Sequence, residues 1–440
     1  METNQMSIMM LPWLAHGHIS PFLDLAKKLS TKNITTYICS TSINLNSIKP
    51  KIPENSFIKL IDINLESSEL LPPHFHTTKN LPLHLMVTLK TAFDNSSLNF
   101  SNILNNIKPD ILIYDFLMPW APQIASSHNI PAVEFIVCSA SFTAFLQHLY
   151  MLKNHDFPFP EIFLRNYDKL KYEEFTHPSQ DRGQIDTLPF AKCLELSKDI
   201  VLIKTFRQVE GKYVDYLSSL IKKKVIPVPL VEDVKGNELP IMEWLNKKKQ
   251  GSSVFVAFGT EYYLTKNEIG ELAHGLDLSG LNFIWVLKFP YGDDRKLEDV
   301  LPEGFLERIK EKAMVILDWA PQMEILKHES VGGFVCHCGW SSIMEAMKVG
   351  VPIIGIPMHL DQPVNARLAV EAGICLEVLR NDDGLIEREM VADAIKRVVI
   401  DEDGISLRKK AKELSENLGL INDDEEFNGL AEELVKLCLS

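Results

Sequence analysis

Little in this 440-residue chain invites cross-linking, membrane insertion or nucleic-acid binding. Its seven cysteines are scattered and odd in number, which argues against a disulfide framework and for a reducing compartment, so the expected location is the cytoplasm. No apolar run approaches the roughly 20 residues that span a bilayer; the longest, such as residues 351–358, have the length of buried strands. Positive charge is in short supply. Against 59 Asp and Glu stand 45 Lys and Arg, a net −14, so a polyanion or an acidic membrane surface would be repelled. The first residues carry Glu2 and no basic cluster, and Pro12, Trp13 and His16 interrupt their apolar run. They read as a strand and its loop, not a signal peptide, and the sequons at Asn33, Asn95 and Asn99 are expected to go unread. Also missing are a G-x-G-x-x-G after a strand, a G-x-x-x-x-G-K-S/T loop and a G-x-S-x-G elbow. Dinucleotide, P-loop and hydrolase readings lose their support with them.

What the chain does have is a regular alternation of short apolar runs with amphipathic segments, the pattern of parallel sheets covered by helices. With 46% apolar and 24% charged residues, its length suits two globular domains. Strands are expected at 8–11, 35–40, 111–114, 132–135 and 200–204, with a helix over 21–29. From Ile226 to Pro240 three prolines, a glycine and several charges break the pattern, and the alternation restarts with strands at 254–258, 283–287, 314–317, 333–336, 352–356 and 374–378. The fold class is α/β: two Rossmann-like doubly wound parallel-sheet domains facing across a cleft, with ligands beyond the carboxyl ends of the strands. Domain bounds follow as 1–230, a linker at 231–240, 241–426, and a helix at 427–440 that packs back on the first domain. Segments 155–195 and 289–303 read as surface loops or short helices, the former as part of a lid or acceptor wall.

Two residues of the first half have base-like chemistry. His18, in PWLAHGHISP between the first strand and the first helix, has a side chain that titrates near neutrality and can take a proton from a hydroxyl. Asp115 ends the strand ILIY and can fix the tautomer of an imidazole; each alone could equally be a solvated loop histidine and a helix-capping acid. His16 is a competitor, held as a contact to phosphate or acceptor.

Residues 319–362 suit a nucleotide sugar. Trp319 offers a π-face to a base, Gln322 can bond base or ribose, and Glu345 can accept ribose hydroxyls. His337, Gly339, Trp340, Ser341 and Ser342 occupy the turn into a helix, where N–H donors and the helix dipole attract a diphosphate. Asp361 and Gln362 suit sugar hydroxyls, and Gly259-Thr260 makes a second strand-to-helix corner open to phosphate. Cys336 and Cys338 flank His337, but no second pair stands at zinc spacing, so no metal is expected.

On these residues the chain resembles the plant family 1 UDP-sugar-dependent glycosyltransferases of GT-B fold, over nearly its whole length; residues 319–362 match that family's secondary-product signature box. The resemblance implies His18 as catalytic base with Asp115 as its partner, Trp319 with neighbouring Ala320 at the uracil, and Gln322 and Glu345 at the nucleoside. It implies His337, Ser342 and Thr260 at the diphosphate, Gly339, Trp340 and Ser341 in the same box, and Asp361 and Gln362 at the sugar, a final Gln being usual in glucose users. The stretches PWLAHGHISPFLDLAKKL, TTKNLPLHLM and FGTEYYLTKNEI are most similar to the branch that extends sugars already attached to flavonoids or terpenoids. Ser341 stands where the box usually carries Asn, and Ala257 where a small hydroxyl residue is usual. The implied enzyme is an inverting UDP-glycosyltransferase, using UDP-glucose and a glycoside acceptor without metal or other cofactor and acting as a monomer. Rhamnose, xylose, apiose or glucuronic acid donors and an aglycone acceptor stay open. So do a UDP-sugar-binding protein without transfer, and a GT-B epimerase or phosphorylase.

Overall fold

The computed structural model describes residues 6–79, 81–153, 155–169, 189–230, 240–290, 292–293, 295–317, 319–381, 383–420 and 422–439. The linker expected at 231–240 lies outside them except for Pro240. Two parallel sheets organise the chain. The first contains β1 (Ser7–Leu11), β2 (Thr35–Ser40), β3 (Ile58–Asp62), β4 (Ile111–Tyr114), β5 (Ala132–Ile136), β6 (Ile200–Lys204) and β7 (Lys224–Val228), in the order β3-β2-β1-β4-β5-β6-β7. The second contains β8 (Ser253–Ala257), β9 (Asn282–Leu287), β10 (Ala313–Leu317), β11 (Val331–Cys336), β12 (Ile353–Gly355) and β13 (Cys375–Glu377), in the order β10-β9-β8-β11-β12-β13. Both are doubly wound, and in each the strand order reverses between the first strand and the fourth.

The central strands are legible in sequence because both of their faces are covered: Ile8, Met9, Met10 and Leu11 of β1 are all fully buried, so the run is continuously apolar. The two strands that the apolar runs miss are the edges of the first sheet. β3 reads IKLID, half exposed and alternating. β7 carries Pro227 inside the stretch read as patternless from Ile226; a proline that donates no ladder hydrogen bond is tolerated there because β7 has a neighbour on one side only.

The described residues gather into two compact units, one from Met1–Asp156, Arg182–Val231 and Asn422–Ser440, the other from Phe157–Asp181 and Glu232–Ile421. Residues 157–169 therefore belong with the second sheet although their sequence neighbours belong with the first. The return to the first unit begins at Asn422, where helix Asp423–Leu439 buries Phe427, Leu430 and Leu434 against the core that holds Phe22 and Phe135. Each such burial is worth about 1.5–3 kcal/mol. The opposite face of the first sheet packs Leu89, Phe93, Phe100 and Tyr114, and the second unit has its own core around Phe283, Trp285 and Phe305. Of the stretch 155–195, read as surface loops or short helices, residues 170–188 lie outside the described residues, and the short helix Pro189–Leu196 buries Phe190, Cys193 and Leu194. No described helix is long and apolar enough to cross a membrane.

Candidate functional site

The first unit assembles its histidine and its acid at the reversal of strand order. β1 and β4 are neighbours, Leu11 opposite Tyr114, so the segments leaving their carboxyl ends emerge side by side. One leads into helix His16–Ser30, which starts five residues earlier than the expected 21–29; His16 and His18 sit in its first turn rather than in a loop. Pro21 lies inside the helix, just past its first turn, and removes the N–H that would otherwise bond the Gly17 carbonyl, so the helix forgoes one backbone hydrogen bond there. The other leads directly to Asp115.

His18 Nδ1 lies 2.7 Å from Asp115 Oδ2, with the imidazole 17% exposed and the carboxylate 0%. The same oxygen accepts the Trp13 N–H at 3.0 Å, and Oδ1 accepts the Phe116 N–H at 2.9 Å. Two backbone donors thus orient the acid before the histidine arrives. A carboxylate receiving Nδ1–H fixes the neutral ring as the tautomer whose basic nitrogen is Nε2. Phe116 flanks the ring at 5.4 Å between centroids. Beneath lies Glu134, opposite Tyr114 in β5 and fully buried, its carboxyl pushed well above the usual range first by burial and then by the charge of Asp115. Burial thus favours the neutral form of Glu134. An acid inside the apolar strand AVEFI gives no sequence signal of this pairing.

The second unit repeats the arrangement. β8 and β11 are neighbours, Ala257 opposite Cys336, so Gly259-Thr260 and His337 follow adjacent strand ends. Gly259 has φ +76, and a Cβ there would lie 2.5 Å from His337 Nε2; a Cβ on Gly339 would lie 2.6 Å from the same atom. The imidazole is held between two glycines. Gly339 caps helix Trp340–Val349, whose first turn contains Ser341 and Ser342, while Trp340 is 3% exposed and belongs to the core. Thr260 is exposed in its turn.

Burial lowers His337 to about 3, with His359 and Lys288 adding repulsion. A histidine depressed from 6.5 is protonated first in the unfolded chain, so its stabilising share is complete above about 6.5 and drains as pH falls towards about 3. In urea titrations at successive pH values, His337→Gln is expected to regain stability relative to the parent, by up to about 1.4 kcal/mol per pH unit below about 6. A constant gap between the two proteins would show that the ring is already charged.

Three further box residues form one hydrogen-bonded group. Gln322 Nε2 donates to Ser342 Oγ at 3.1 Å and to Glu345 Oε2 at 2.8 Å. Trp319 stands 69% exposed, its face available to a planar ligand, and Ala320 beside it is buried. Asp361 Oδ2 accepts Asn365 Nδ2 at 2.7 Å, and the same amide donates to Cys338 O at 3.1 Å, joining the sugar-type pair to the corner after β11. Gln362 Oε1 accepts the N–H groups of Met358 and His359 at 2.9 and 3.1 Å. Asn365, three residues beyond the box, has no signal in sequence apart from helical spacing. Cys338 points its thiol at the Cys336 carbonyl and is held protonated by burial. Among the described residues no three His, Cys, Asp or Glu side chains are grouped to hold a metal.

Known proteins repeat this architecture. Residues 4–227 match the family model "Glycosyltransferase, N-terminal domain", and residues 235–416 match "UDP-glucoronosyl and UDP-glucosyl transferase". The chain is 49% identical to a mogroside IIIx synthase of Siraitia grosvenorii, across 94% of this chain and 93% of that one. It is 43% identical to a β-D-glucosyl crocetin β-1,6-glucosyltransferase of Gardenia jasminoides, across 97% and 98%. A crystal structure of a Glycyrrhiza uralensis UGT complexed with glycyrrhetinic acid 3-O-monoglucuronide shares the fold at TM-score 0.86, covering 99% of this chain and 97% of that one at 21% identity. With both sheets accounted for by one family and close relatives matching end to end, the chain belongs to the UDP-glucuronosyl and UDP-glucosyl transferases and is a UDP-glycosyltransferase of GT-B fold.

Proposed function

We propose that this enzyme moves glucose from UDP-glucose, with inversion, onto a sugar hydroxyl of a flavonoid or terpenoid glycoside. The observation that carries the mechanism is the 2.7 Å contact between His18 Nδ1 and Asp115 Oδ2. Nε2 of His18 takes the proton of the acceptor hydroxyl as its oxygen attacks the anomeric carbon. The bond from that carbon to the β-phosphate oxygen breaks, and UDP departs with the electron pair. His337, Thr260, Ser342 and the N–H groups opening helix Trp340–Val349 receive the diphosphate; Gly339, Trp340 and Ser341 shape that corner. Trp319, Ala320, Gln322 and Glu345 take the nucleoside, and Asp361 and Gln362 take the sugar. No step calls on a metal or other cofactor. Alignment of two bound reactants supplies much of the acceleration.

Of the relatives named above, one is a β-1,6-glucosyltransferase of β-D-glucosyl crocetin and the other a mogroside IIIx synthase, which supports a glycoside acceptor. Ser341 favours a second reading of the donor, because a side chain shorter than Asn leaves room beside the sugar for UDP-rhamnose, UDP-xylose, UDP-apiose or UDP-glucuronic acid. Seven cysteines with no disulfide among them favour a reducing compartment, and the enzyme is read as a cytoplasmic monomer. The test is a panel of UDP-sugars against one flavonoid glucoside and its aglycone. Diglycoside from UDP-glucose supports the reading; UDP binding without transfer to any acceptor replaces it with a binding protein, and release of free sugar points to a different GT-B enzyme.

A further inference from the structure

Residues 157–169 come from the first half of the sequence yet are built into the second unit, and what they grip is helix Gln362–Glu371. That helix is buried from Gln362 to Ala369, so its polar side chains need partners inside the fold. Gln362 is tied to the loop after β12 and Asn365 to the corner after β11. A further tie, deeper along the helix, is the ion pair between Arg367 and Glu377 of β13, with side chains 5% and 3% exposed.

Glu377 has a second cation. Arg165 reaches it with Nε at 3.3 Å and Nη2 at 3.5 Å. The guanidinium groups of Arg165 and Arg367 lie 5.6 and 5.0 Å from the centre of the Phe163 ring, so one aromatic ring and one carboxylate contact both. The Arg165 N–H bonds Asp168 Oδ2 at 3.1 Å and closes the turn, and Ile162 beside it is 3% exposed.

We propose that residues 157–169 are a strap that fixes helix Gln362–Glu371, making Arg165 a positioning residue for the donor sugar rather than part of an acceptor wall. The proposal rests on Asp361 and Gln362, at the start of that helix, being the sugar contacts. Without Arg165, Glu377 has one partner instead of two and Phe163 has lost a cation, so the buried helix can settle differently. A shift approaching 1 Å at its start suffices to weaken sugar binding. The uridine and diphosphate contacts sit on other elements and keep their places.

The experiment is calorimetric titration of Arg165→Ala with UDP-glucose and with UDP, beside steady-state kinetics in both substrates. The expected result is about 3- to 30-fold weaker UDP-glucose binding, with UDP binding and acceptor KM changed by less than about twofold. Arg165→Lys keeps the charge but not the fork; it falls between the parent and Arg165→Ala, and carries the same comparison should the alanine variant fold poorly. Equal losses for UDP and UDP-glucose, or a change in acceptor KM alone, would overturn the proposal. Gln362→Ala is the control for the underlying reading: if it weakens UDP and UDP-glucose alike, the sugar assignment fails whatever Arg165 does.

Discussion

His18→Ala is expected to lower glycosyl transfer by on the order of 10²- to 10⁴-fold while UDP affinity stays within about twofold. The separation follows from the fold, because His18 is built on the first sheet and the proposed nucleotide contacts on the second. Asp115→Asn is expected to approach the same loss by a different route. Oδ2 accepts both His18 Nδ1 and the Trp13 N–H, and Oδ1 accepts the Phe116 N–H. An amide has one acceptor oxygen, so in either rotamer its NH2 group faces a backbone N–H. Oxygen towards Phe116 deprives the histidine of its acceptor and favours the other tautomer; oxygen towards Trp13 sets donor against donor at Phe116. Single-turnover measurement of glycoside formation checks both variants. Transfer by His18→Ala within tenfold of the parent would remove the imidazole from the proton-transfer step.

Gly259→Ala is expected to cost both stability and donor binding, although it adds a single methyl. At φ +76 a side chain costs roughly 1–2 kcal/mol in backbone strain. The new Cβ would sit 2.5 Å from His337 Nε2 and 2.8 Å from Cε1, so either the ring or the Gly259 backbone must move. Overpacking of this kind costs about 1–3 kcal/mol more. The expected sum is about 2–5 kcal/mol in urea unfolding, with UDP affinity at least about tenfold lower as the imidazole is displaced. Gly270→Ala makes the contrast. It lies inside helix Lys266–Ser279 with nothing within 4 Å of the added carbon, and is expected to gain about 0.5–1 kcal/mol. Unchanged UDP binding by a folded Gly259→Ala would mean that His337 is not held where the diphosphate goes.

Much of this was legible in the residues themselves. Strands such as Ile111–Tyr114 and Ile200–Lys204 are largely apolar because both sheet faces are covered, and their limits follow directly from that burial. Loops entering helices after such strands are where doubly wound sheets bind ligands, so His18, Asp115, Thr260 and His337 could be singled out from position and side-chain chemistry. Gln322, Ser342 and Glu345 were each singled out in the box, but their hydrogen bonds to one another span 20 and 23 residues and came only with the fold. The edge strands of the first sheet were hidden for the converse reason: with one exposed side, IKLID and KVIPV need no continuous apolar run.

Sequence alone thus determined the class of fold, the family resemblance and the chemical inventory, because these rest on local burial and on motifs contiguous in the chain. Pairings between residues far apart were decided by tertiary structure: the two backbone donors on Asp115, the glycines that confine His337, and the attachment of residues 157–169 to the second unit. So was the shared strand order of the two halves, which no internal sequence repeat announces. The physical reason is common to all of them. Hydrogen bonds, ion pairs and steric limits act over a few ångströms in space, and only the folded sheets decide which distant residues come that close.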